Sequence, residues 1–121
     1  MSKELINPAA LMAPTGYSHV AKVTGTLVYV AGQVSADASG KLVGEGDLEA
    51  QAEQVFKNLK IAIEAAGGTL AEVDQAEIPK FRAVRDRYLD TAKLPASTLA
   101  VITRLARPGW LIEIEAIAAI D

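Results

Sequence analysis

At 121 residues, 50% of them hydrophobic and 22% charged, the chain has the composition of one globular domain (residues 1–121), too short for separate catalytic and cofactor-binding domains. It holds no Cys, which excludes disulfide frameworks, thiolate metal centres and cysteine nucleophiles. Twelve Lys and Arg against fifteen Asp and Glu leave a net charge of −3 and no basic surplus, so nucleic acid is not an expected partner.

Met1 to Ile6 mixes charge signs without an apolar core, so no secretory signal is expected. The uncharged stretch from Leu94 to Thr103 falls short of the roughly 20 apolar residues that span a bilayer. A cytoplasmic protein without membrane contact is the expectation.

Pro8 and Pro14 predict an irregular lead-in over Asn7 to Thr15. His19 to Val23 and Leu27 to Ala31 read as two strands joined into a hairpin at Gly25. The second continues through Gln33 to Asp37, and the turn Asp37 to Gly40 returns a short third strand, Lys41 to Val43. Asp47 is a good N-cap. From Leu48, the residues Ala52, Val55, Phe56, Leu59, Ala62, Ile63 and Ala66 recur at helical spacing, and Gly67-Gly68 closes the helix.

A second helix is predicted from Pro79 to about Asp90, with Phe81, Val84, Tyr88 and Leu89 inward and Arg82, Arg85, Asp86 and Arg87 facing water. Strands then resume over Ser97 to Leu105 and Trp110 to Ile120, with Arg107-Pro108-Gly109 turning between them. Alternation in the last strand puts Ile112, Ile114 and Ala116 on one face and Leu111, Glu113, Glu115 and Ile117 on the other. The order predicts a single α+β layered domain.

Several segments, in this order, carry a resemblance: Gly16-Tyr17-Ser18-His19, Val28 to Gln33, the helix ending Glu64 to Gly67, Pro95 to Thr98, and Leu111 to Ala118. Together they resemble the Rid family (YjgF-type, endoribonuclease L-PSP) over nearly the whole chain. The resemblance implies a chorismate-mutase-like mixed sheet with two helices packed on one face, and a homotrimer with small-molecule clefts between subunits. It further implies hydrolysis of reactive enamines or imines to keto compounds and ammonia, with no metal or organic cofactor.

Carried over residue by residue, the resemblance makes Tyr17 the tyrosine bordering the cleft and Glu113 the carboxylate that positions the attacking water, with Glu115 beside it. Aligned on Ser97 and Thr98, Ala96 stands where active deaminases carry the arginine that binds the substrate carboxylate. A guanidinium grips such a group through two parallel hydrogen bonds, which alanine cannot replace. The alternative to a deaminase is therefore a catalytically altered or inactive trimer that binds a small metabolite.

Five further readings bear on the site. Arg107 is either a solvated turn charge or a cation reaching the cleft. His19 is either structural or, beside Tyr17, a proton-transfer group. Glu113 and Glu115 stand roughly 6.5–7 Å apart on one strand face, and become chemically unusual only if an oligomer covers that face. Trp110 suits core or interface packing, and Gly32-Gln33 suits close strand packing beside the cleft. RNA cleavage is disfavoured by the single His and the lack of a basic, aromatic-interleaved cluster. Against the family pattern, a block of about 5–9 residues, a strand's length, is missing between Val73 and Asp74. Either the sequence omits residues that the molecule has or the protein lacks that strand.

Overall fold

The computed structural model describes residues 2–70, 82–98 and 100–121. The gap read between Val73 and Asp74, the helix start at Pro79, Phe81 and Leu99 lie outside them.

Helix α1 (Leu48–Ala65) forms for the local reasons its sequence suggests. The Asp47 carboxylate accepts the Ala50 amide at 3.1 Å, filling one of the four donors that a helix start leaves open. At the other end the Gly68 amide reaches Ile63 O and the Gly67 amide reaches Glu64 O, both at 3.0 Å. That pair of bonds needs a left-handed residue between them, and Gly67 supplies it at φ +87°. Ala52, Val55, Phe56, Leu59 and Ile63 are buried along one face, whereas Ala66, at the cap, is exposed.

That face covers a two-stranded antiparallel sheet of β3 (Thr26–Val34) and β4 (Glu113–Ile120). Val30, Ile114, Ala116 and Ala118 point into the core beneath α1, and Ile112 joins them just ahead of β4. The predicted alternation holds, with Glu113 and Glu115 exposed and their even-numbered neighbours buried. The last strand begins at Glu113 and not at Trp110, because the Leu111 amide bonds to the Gln51 side chain instead of a neighbouring strand.

The hairpin at Gly25 does not form. Strand β2 (Val20–Thr24) pairs antiparallel with β1 (Ser2–Ile6), a strand that sequence reading missed, while β3 pairs with β4. A single residue separates β2 from β3, one fewer than the shortest common hairpin loop, so Gly25, at φ +128°, turns the chain from one sheet to the other. In place of one mixed sheet, the described residues form two antiparallel pairs, and their parallel contact is an isolated bridge between Ser18 and Ala96.

Asp37 to Gly40 turns as expected, but the predicted third strand reduces to one bridge between Ala36 and Leu42. The stretch 97–105 is not a strand among the described residues; Val101 and Ile102 lie exposed there, without the packed face that holds a strand in register.

Helix α2 is described over Arg82–Arg85 and tightens into turns through Leu89. Val84 and Leu89 are buried as predicted. Arg85 is not on a solvated face: it is 2% exposed, donates to Gly16 O at 2.7 Å and pairs with Asp86 at 2.9 Å. A guanidinium tolerates such burial only when its donors are engaged. Arg82 likewise reaches across to Thr15 O at 3.1 Å, and Arg87 binds Glu49 and Glu53 on α1. Among the described residues, no helix is long and apolar enough to cross a membrane.

Candidate functional site

Glu113 owes its setting to an irregularity in β3. The ladder runs from Val30 opposite Ala116 to Gln33 opposite Ile114, so Ala31 and Gly32 together face Glu115, a bulge that bends the strand and re-aims its neighbours. One rung on, Val34 faces Glu113. The Glu113 carboxyl folds back over Gly32: a Cβ at position 32 would lie 2.0 Å from Oε1 and 2.8 Å from the carboxyl carbon. Gly32 does not have a positive φ, so glycine is required here for space and not for backbone freedom. The expected close packing at Gly32-Gln33 is thus a contact with the carboxylate itself.

A second group forms where the segment 17–19 runs beside 94–96. The Ser18 amide donates to Pro95 O at 2.8 Å, its hydroxyl donates to Leu94 O at 2.6 Å, and its backbone bridges Ala96. With Ser18 buried, Tyr17 and His19 project the other way and meet edge to face, ring centroids 5.3 Å apart. His19 Nε2 lies 2.7 Å from Met12 O, so in the neutral ring Nε2 carries the proton and Nδ1 the lone pair. Asn7 Oδ1 accepts the His19 amide at 2.8 Å. Arg82 and Arg85 hold the two carbonyls that immediately precede Tyr17. Sequence reading weighs Arg82 and Arg85 only as charges on a solvated helix face and leaves Ser18 out of the site; the inward parity of Ser18 between Tyr17 and His19 is the signal for its part.

Ala96 is half-buried in this group, and Thr98 is exposed two residues on. Arg107 stands apart from both groups, exposed, its guanidinium 5.4 Å from the Trp110 ring centroid. Among the described residues, no hydrogen bond, ion pair or ring contact joins Glu113 or Glu115 to Tyr17, His19 or Arg107. A cavity of about 590 Å³, lined by Lys3, Leu5, Asn7, Leu89, Lys93 and Pro95 among others, includes none of the predicted site residues. No group of three His, Cys, Asp or Glu among the described residues could hold a metal ion.

Residues 7–120 match the sequence pattern of the endoribonuclease L-PSP family. A RutC family protein of Pyrococcus abyssi is 34% identical over 127 residues, covering 98% of each chain. A crystal structure of a Rid-family protein of unknown function from Yersinia pestis superposes with a TM-score of 0.82 at 34% identity, covering 99% of this chain and 100% of that one. RidA from a Psychrobacter species superposes at 0.64 with 34% identity, over 90% and 92% of the two chains.

Proposed function

The chain belongs to the endoribonuclease L-PSP family, the Rid or YjgF group, and from that premise we propose that it hydrolyses small reactive imines or enamines to keto compounds and ammonia. The observation that carries the reading is Glu113, an exposed carboxylate seated on Gly32 where β4 begins. Water adds to the C=N carbon while Glu113 takes its proton. That proton passes to nitrogen to give a carbinolamine; Glu113 then carries the carbinolamine hydroxyl proton to nitrogen as the C–N bond breaks and C=O forms, so the carbonyl compound and ammonia leave. Tyr17 and His19 form the second wall of the cleft, supplied to Glu113 by a neighbouring subunit.

A homotrimer goes with this reading. Alongside Glu113 and Glu115, Leu27 and Tyr29 on β3 are 50% and 71% exposed, Tyr29 opposite the half-buried Ile117. An apolar strip of this kind beside carboxylates suits coverage by another copy. Water would then be excluded from Glu113. On this reading the activity is cytoplasmic and uses no cofactor.

Ala96 favours a second reading, a trimer that binds a small metabolite without turning it over, because a substrate carboxylate has no guanidinium there. The test generates imines in situ with an amino-acid oxidase and follows keto-acid release. Release faster than the spontaneous rate, and lost in Glu113→Gln, supports the enzyme. Release at the spontaneous rate for both acidic and neutral imines overturns it, and a thermal-shift screen with small keto acids then tests the binding reading. Sedimentation at two concentrations tests the trimer.

A further inference from the structure

Two side-chain amides of α1, the buried Gln51 and the half-buried Asn58, seven residues and about two turns apart, bond to backbone outside the helix. Gln51 is fully buried, and a buried amide is tolerated only when its donors and acceptor are engaged. Its Nε2 donates to Gly44 O at 3.1 Å and Gly109 O at 2.8 Å, and its Oε1 accepts the Leu111 amide at 2.9 Å. Asn58 Nδ2 donates to Val34 O at 3.1 Å and Ala36 O at 2.9 Å, and its Oδ1 accepts from Gln54 at 2.9 Å.

Two of these bonds flank one rung of the sheet. Leu111 lies two residues before Glu113, and Val34 is the residue across the ladder from Glu113. Helix α1 therefore braces β3 and the segment leading into β4, where the carboxylate emerges just past the bulge that makes room for it over Gly32. Apolar side chains of similar volume would fill the same space and pack the helix. Only amides hold strand backbone at fixed points.

We propose that Gln51 and Asn58 are positioning residues for Glu113, an inference that rests on the reading of Glu113 as the reacting carboxylate. Neither amide touches the carboxylate. They act by fixing the backbone on either side of it, in the way that a supporting shell orients a reactive group.

The test compares Gln51→Met and Asn58→Leu with Ile63→Val, a core substitution toward the end of the same helix. Asn58 is half-buried, so Asn58→Leu keeps the test alive if Gln51→Met does not fold. Two measurements are made on the full chain. In imine hydrolysis, both amide variants are expected to lose about 10- to 100-fold in kcat, with KM moving far less, while Ile63→Val keeps its kcat. In native-state amide exchange, protection at Gln33, Val34, Glu113 and Ile114 is expected to fall about tenfold, with the Thr26 and Ile120 end of the ladder unchanged. A uniform loss of protection along the ladder, or a kcat loss no larger than in Ile63→Val at equal loss of stability, overturns the proposal. A wild-type chain without hydrolysis above the spontaneous rate overturns the reading of Glu113 instead, and the exchange measurement still decides the brace.

Discussion

Gly32 and Glu113 share one space: the Glu113 carboxyl occupies the position that a side chain at residue 32 would need, with Oε1 2.0 Å from the site of a Cβ. In Gly32→Ala the methyl group must push the carboxyl aside. A glutamate side chain can swing away, so stability is expected to stay within about 0.5 kcal/mol of wild type, as for most surface substitutions. Imine hydrolysis is expected to fall by about 100-fold, because the water-positioning group has moved by an ångström or more. Thermal unfolding and steady-state kinetics on one preparation check both halves, and unchanged kinetics would show that the carboxylate's seat does not matter.

Ala96→Arg is expected to restore a partner for a substrate carboxylate. Ala96 pairs with Ser18, the residue between Tyr17 and His19, in a bridge made by backbone atoms, so a longer side chain leaves that bridge intact. One charge-assisted contact of about 1.5–3 kcal/mol corresponds to a gain in kcat/KM of roughly 10- to 150-fold for imines that carry a carboxylate. Neutral imines should gain nothing, and an equal gain for both classes would rule out the carboxylate contact.

Arg85→Met removes the donor that reaches Gly16 O. Asp86, 41% exposed, can rehydrate, while the half-buried Gly16 carbonyl is left without this donor. A destabilisation of about 2 kcal/mol is expected in urea unfolding. Arg85→Lys should recover only part of it, because an ammonium cannot reproduce the fork that serves Gly16 and Asp86 together.

Tyr88 carries a pH signature. Burial, with help from the hydrogen bond its hydroxyl donates to Glu53, pushes its pKa from 10.0 up to about 12. The folded chain therefore favours the protonated phenol. That contribution is complete below pH 10 and is lost as pH rises through about 12. Unfolding midpoints measured from pH 8 to 12 should fall more steeply above pH 10 for wild type than for Tyr88→Phe. Parallel curves would refute the link.

The parts of the molecule legible in its residues are those governed by near neighbours in the chain. Asp47 and Gly67 mark the ends of α1 because capping bonds join residues three to five apart. Ile112, Ile114 and Ala116 are buried because strand periodicity separates them from Glu113 and Glu115. The resemblance to the Rid family rested on such local runs, and the family assignment stands. Glu113, Tyr17, His19 and Ala96 could be singled out on the same basis.

Tertiary structure decided what lies opposite what. Gly25 reads equally well as a hairpin turn or as a corner between sheets, and the outcome depends on β1 and β4, the strands that β2 and β3 find as partners. Arg85 looks like a solvated helix charge until the loop ending at Gly16 closes over it. Gln51 and Asn58 interrupt an apolar face without any local reason, and only the folded chain brings Leu111 and Val34 to them. The bulge at Ala31-Gly32 has no signature until β4 sets the register, and that register places the Glu113 carboxyl in the space Gly32 leaves open. Short-range bonding and side-chain period are properties of the chain, whereas pairing and burial depend on residues far apart in it, so the residues named the carboxylate and the fold determined its seat.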